Sequence, residues 1–182
     1  MEIVTDLEHI KERALEREDE NWEFRTFLKQ LGMASKDIDA IVHKIVDEVT
    51  SQIDCTKCAN CCNQIRPVLD KEDISEFAFG LGNEVSEFHE RYLSENTDTP
   101  SNYVFEKLPC PFLSNNKCLN YDYRPKDCRS YPHLHKEGFT SRLLGVIKNY
   151  GVCPIVFNVY ERIKTELWDD DFLNDGEFNY EW

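Results

Sequence analysis

The chain lacks an apolar run of about 18 residues, so no transmembrane helix is expected. It is charged from Glu2 onward and has no apolar N-terminal segment of the signal-peptide kind, which makes a cytoplasmic location the expectation. Basic residues are short: 21 Lys and Arg stand against 35 Asp and Glu, a formal net charge of −14. A nucleic-acid backbone or an anionic membrane needs a basic surface, so neither is expected as a partner. A protein or a small molecule is, and nothing in the chain identifies it. There is no internal repeat and no second-domain linker. At 182 residues one domain is the default, long enough to bury a core without staples.

Cysteine is where the chain departs from the ordinary. Its eight cysteines are about 4% of the residues, below the roughly 8–10% of short disulfide scaffolds. In a reducing compartment such thiols read as ligands before they read as disulfides. Four of them fall in eight residues, Cys55-Thr-Lys-Cys58-Ala-Asn-Cys61-Cys62. Thiolates spaced C-x-x-C reach one metal from a single tight turn, and they suit zinc, copper(I) and iron–sulfur centres. Two overlapping pairs signal metal strongly and its identity weakly.

The surrounding pattern is mostly helical. Residues 1–20 predict a solvated helix with Thr5-x-x-Glu8 as its capping box and Leu7, Ile10 and Ala14 as a thin stripe. A second helix carries Trp22, Phe24, Phe27, Leu28 and Leu31 to a stop at Gly32. Ser35 is expected to cap a third, whose Ile38, Ile41, Val42, Ile45, Val46 and Val49 recur every three or four residues. An extended piece from Ile65 to Leu69 follows the cysteine run. Asp70 then caps a helix bearing Ile74, Phe77, Ala78 and Leu81 that ends near Gly82. Another helix is expected over Val85, Phe88 and Tyr92, then a loop from Asn96 to Asn102. Tyr103–Phe105 and Cys118–Tyr121 read as short strands about the turn Ser114–Lys117, forming a small hairpin that carries Cys110 and Cys118. A single helical turn fits between Pro125 and Pro132. Phe139–Lys148 suits strand or helix. Cys153-Pro154 opens the last helix, with Val156, Val159, Tyr160, Ile163 and Leu167 on one face. Residues 169–182 hold six acidic side chains and no basic one, an expected acidic tail.

The expected fold is therefore mainly α with a small irregular β element (α+β), a single helical domain whose loops converge on a metal site. Residues 1–49 form N-terminal helices packed as one unit on a cysteine-cluster domain of 50–168.

Four later cysteines, Cys110, Cys118, Cys128 and Cys153, complete a second group. The ordered pattern Cys55-x-x-Cys58-x-x-Cys61-Cys62, Cys110-Pro-Phe-Leu113, Cys118, Tyr121-x-x-Arg124-Pro125-x-x-Cys128-Arg129-x-Tyr131-Pro132 closely resembles the YkgJ-type cysteine-cluster family. The resemblance covers about residues 50 to 155. It implies metal chelation, zinc or iron, by these cysteines and little about activity. The motif is also distantly similar to that of flagellin lysine N-methylase, though no further region here matches that activity.

Spacing leans slightly toward iron–sulfur. All-cysteine zinc sites commonly use two C-x-x-C knuckles, whereas a C-x-x-C-x-x-C run with a distant cysteine followed by proline suits an iron–sulfur cluster. Cys110 and Cys153 both precede proline. Cys61 and Cys62 are adjacent, so they are expected to serve different centres, or one to be a core thiol. Two four-ligand sites, or one site with spare thiols, both fit. Arg124 and Arg129 flank Cys128 as candidate cofactor-binding groups that would offset thiolate charge; structural salt bridges are the plainer reading. His133 is a candidate imidazole ligand, although loop histidines are usually exposed. His9, His43 and His89 have no histidine at i+4, and Tyr121, Tyr123 and Tyr131 read as core and lid. Three functions follow: a redox or cofactor-dependent iron–sulfur protein, a zinc-stapled interaction module, or a metal-handling protein. The sequence does not decide whether the protein is an enzyme.

Overall fold

The computed structural model describes residues 2–168; the acidic tail lies outside them. In chain order the α-helices are α1 (Leu7–Glu16), α2 (Glu18–Gln30), α3 (Ser35–Thr50), α4 (Cys55–Cys58), α5 (Asn60–Gln64), α6 (Lys71–Leu81), α7 (Val85–Tyr92), α8 (Lys126–Ser130), α9 (Leu143–Tyr150) and α10 (Pro154–Trp168). The strands are β1 (Val68–Leu69), β2 (Leu93–Glu95), β3 (Tyr103–Phe105), β4 (Leu113–Ser114) and β5 (Lys117–Cys118). The fold is mainly α with small antiparallel sheets. No helix among the described residues is long and apolar enough to cross a membrane.

The chain forms two compact units. Among the described residues, one joins 2–53 with 132–168; the other is Asp54–Tyr131. The domain boundary expected near residue 50 treated 50–168 as continuous, whereas 132–168 belong with the N-terminal helices. The reason is apolar surface: α3 and α10 carry the longest buried faces and pack on each other.

In the first unit, α3 buries Ile38, Val42, Ile45, Val46 and Val49, as its periodicity requires. α10 is enclosed almost all round and includes buried Asn158, Glu161 and Lys164. Those polar groups are paired. Glu161 accepts from the Tyr150 hydroxyl at 2.8 Å and from Lys164 Nζ at 2.9 Å, and it also meets Arg17; Lys164 reaches Glu20 at 2.7 Å. Burial, reinforced by the Glu161 carboxylate, pushes the Tyr150 hydroxyl far above its usual range.

Local expectations need small corrections. Asp6 caps α1, accepting from the His9 N–H at 2.7 Å, so the cap is one residue beyond Thr5. Ala34 is the N-cap of α3, and Ser35 is its first helical residue. Phe139–Arg142 is a 3₁₀ turn leading into α9, so the ambiguous stretch is helical.

The second unit packs α6 and α7 on a three-stranded sheet ordered β1-β3-β2. Asp70 and Asp73 form a reciprocal capping box at the start of α6, and Gly82 ends that helix in the left-handed conformation at φ +67°. Leu69, Ile74, Phe77, Ala78, Phe88, Leu93, Phe105 and Phe112 make one core, with Cys110 packed against it. Phe77 and Phe112 meet edge to face at 4.8 Å. The expected hairpin differs in its pairing. Tyr103–Phe105 joins the three-stranded sheet, and Cys118 pairs with Leu113 across Asn115-Asn116, both at positive φ as a tight two-residue hairpin demands.

Candidate metal centre

Seven of the eight cysteines lie in the Asp54–Tyr131 unit, and none of the eight forms a disulfide among the described residues. Their placement begins with Asp54, which caps α4 by accepting from the Thr56 N–H at 3.0 Å and its hydroxyl at 2.6 Å. Cys55 and Cys58 are the ends of this single turn. Ala59 then takes a left-handed conformation, φ +52°, which breaks the helix and redirects the chain into α5. A non-glycine residue adopts that conformation at a cost of about 1–2 kcal/mol, so the turn is held by its surroundings. Cys61 and Cys62 follow on α5.

A backbone bond links the first run to the later cysteines: the Cys110 N–H donates to the Cys62 carbonyl at 2.8 Å. The Cys110 carbonyl in turn accepts from the Leu113 N–H at 3.0 Å, leading into the β4–β5 hairpin and Cys118. Cys128 sits on α8, fastened by two carboxylates. Asp127 accepts from the Val68 N–H at 3.0 Å, and Asp73 accepts from the Lys126 N–H at 2.8 Å. Lys126 Nζ adds an ion pair to Asp70 at 3.0 Å and another to Glu72. Asn120, buried, donates to the Phe77 carbonyl at 2.8 Å and holds the segment after Cys118 against α6.

The thiols sense one another. Burial pushes Cys128 up to about 12 and Cys110 up to about 11, and neighbouring thiolates add to both: Cys62, Cys110 and Cys118 for the first, Cys62 and Cys118 for the second. Cys118 is raised by burial and by Cys62, and Cys55 by burial and by Cys58. Cys62 moves the other way, down to about 7, because it receives a hydrogen bond from Cys61 and lies near Arg124. Cys62 is thus influenced by Cys61 and itself acts on Cys110, Cys118 and Cys128, while Cys58 acts on Cys55.

Arg124 lowers Cys55, Cys62 and Cys118 alike. Its guanidinium stacks on Tyr121 at 3.4 Å, and its Nε donates to the Tyr121 carbonyl at 2.8 Å. Arg129 instead lies 3.7 Å from Glu76 in an exposed ion pair. Tyr121 and Tyr123 are largely exposed, so they are surface groups and not core. Cys153 lies in the other unit, buried at the entry to α10, its N–H donating to the Asn149 carbonyl at 2.9 Å. His133 and His135 also belong to that unit.

The donor set fits a thiophilic metal in kind. Gathered thiols that resist ionisation while bare would yield their protons to a cation that repays the buried charge. Their position is looser: among the described residues no group of three or more Cys, His, Asp or Glu side chains is placed to hold a metal ion. Positioning residues that carry no motif, namely Asp73, Asn120 and Asp127, escaped the sequence reading. So did Gly80, where a Cβ would run into Tyr123 and Asn120.

This small unit draws cysteines from α4, α5, the β4–β5 hairpin and the α8 turn. The particular family is shown by a match over residues 54–145 to the CxxCxxCC model, described as a "putative zinc- or iron-chelating domain". The chain belongs to this cysteine-cluster family and binds metal in that general sense. No curated protein and no solved structure matches it.

Proposed function

We propose that the Asp54–Tyr131 unit carries iron with sulfide on its thiolates and serves as a redox or cofactor-dependent protein. The observation that carries this reading is the grouping of Cys62, Cys110, Cys118 and Cys128 beside the C-x-x-C-x-x-C run, with Arg124 acting on members of both sets. The first four form one centre, and Cys55, Cys58 and Cys61 contribute to a second. Cys153 is a core thiol in this assignment. An iron–sulfur group supplies one-electron chemistry when bound. The chain's own part is to orient the thiolates through the Asp54 cap and the Cys110-to-Cys62 backbone bond, and to offset their charge with Arg124.

A zinc staple is the second reading. It is favoured by the origin of Cys62, Cys110, Cys118 and Cys128 in four separate short segments, a donor set that would suit a closed four-thiolate site. Metal and sulfide analysis with an absorption spectrum, on protein purified without oxygen, separates the two. Iron with stoichiometric sulfide and a broad visible band is expected; zinc alone in colourless protein would establish the staple instead.

A further inference from the structure

The unit that contains none of the clustered cysteines brings two histidines and an aspartate close together. His43 and Asp47 are four residues apart on α3 and share one face. His43 Nε2 is enclosed and has no hydrogen-bond partner, an uncommon state for a buried ring nitrogen that ordinarily finds a donor or acceptor. The His135 ring lies beside it, centroids 5.8 Å apart. His135 Nε2 is 3.9 Å from Asp47 Oδ1.

The loop that presents His135 is fastened at both flanks. Asp39, on α3 and buried, accepts from the Gly138 N–H at 2.8 Å and the Phe139 N–H at 2.9 Å. Arg142 donates to the His133 carbonyl at 2.7 Å and also to the Lys136 carbonyl. Leu134 is buried in the core. His135 is thus brought to the His43 face of α3 by contacts that do not involve its own ring.

We propose that His43, Asp47 and His135 bind one first-row divalent cation, of which Zn²⁺ is the type, through two imidazoles and a carboxylate, with water filling the remaining positions. Imidazole nitrogen and carboxylate oxygen are the ligands that suit such ions without sulfur. The ring separation is close to that of two imidazoles sharing an ion at about 2.0–2.1 Å from each nitrogen. As they stand the three side chains are not placed to hold an ion; Asp47 and His135, which are 74% and 59% exposed, would have to turn to close the site. The orphaned His43 nitrogen then gains its partner. This site is independent of which metal the thiolates hold.

The test uses full-length protein with its thiolate site loaded with zinc and loosely held ions dialysed away. Zn²⁺ is titrated calorimetrically, and the imidazole ¹⁵N signals of all five histidines are followed. One further equivalent is expected to bind, moving the His43 and His135 signals and leaving those of His9, His89 and His133 in place. His135→Ala, at an exposed position, should abolish this event while the fold and the thiolate-bound zinc persist; Asp47→Asn should weaken it. If no further equivalent binds, if the His43 and His135 signals stay still, or if His135→Ala binds as the parent does, the assignment is overturned.

Discussion

The two units are held together by different means. In the first, α3 and α10 run for 16 and 15 residues and bury continuous faces, joined by the paired polar groups around Glu161. In the second, α6, α7 and the three-stranded sheet share an aromatic core, yet the segments that carry cysteine have almost none. α4 and α8 have no buried residue, α5 buries only Asn60, and each strand of the β4–β5 hairpin is two residues long. The thiol-bearing segments are fastened by a few hydrogen bonds and, under the proposed assignment, by ligation. The lesson is that chain economy at a metal site shifts the stabilising work from side-chain burial to ligands.

Removing the metal breaks this contrast most severely. Structural zinc sites in small domains contribute about 10–16 kcal/mol, so chelation should greatly accelerate amide exchange in residues 54–66 and 108–131. Protection in α3 and α10 should persist, as hydrogen-exchange mass spectrometry would reveal. Equal loss in both units would remove the distinction drawn here. Cys58→Ser, a milder version, should lower metal content and loosen the same segments.

Removing a buried charge tests the first unit. Glu161→Leu leaves Arg17, Lys164 and the Tyr150 hydroxyl without their shared acceptor and should cost about 3 kcal/mol, read by denaturant unfolding, with metal content unchanged. Gly80→Ala comes next. Its Cβ would displace the Tyr123 ring and the Asn120 amide, at about 1–3 kcal/mol by the usual cost of overpacking. Because Asn120 lies between Cys118 and Arg124, that variant should also hold metal less well.

The smallest effect sharpens the comparison from the capping side. Asp70→Ala removes the α6 cap and one Lys126 ion pair, at about 1 kcal/mol. The Asp73 N–H, and then Lys126, hold the Asp70 carboxyl below the usual carboxylate range. Its contribution is therefore present above about pH 4 and lost as pH falls through the lowered value. The variant should show a flatter acid limb in stability against pH; an unchanged limb would assign that slope to other carboxylates.

Much of the local structure was readable from residue order. The three-and-four spacing from Ile38 to Val49, Asp70 before α6, Gly82 after it and Pro154 at the start of α10 each act within one or two helical turns. Where neighbours in sequence compete, the reading slipped by a residue: Asp6 outcompetes Thr5 as a cap, and Ala34 stands where Ser35 was expected. Pairing was less legible. Tyr103–Phe105 has the same strand signal whether it meets Cys118 or β1, because β propensity does not specify a partner. The buried Glu161–Lys164 pair has no sequence signal, since nothing local marks which charges a distant Glu20 or Arg17 will meet.

By itself the sequence determined the helical class, the separate helices and strands, and a thiol motif specific enough to place the chain in a metal-chelating family. Each of these rests on residue types and short spacings. Only the tertiary structure decided that 132–168 join the N-terminal helices, that the Cys110 N–H meets the Cys62 carbonyl, and that the His135 ring lies beside His43. Those relations depend on bonds between residues far apart in the chain, such as Cys110 to Cys62 and Gly138 to Asp39, and no periodicity along a sequence encodes where a distant segment will return.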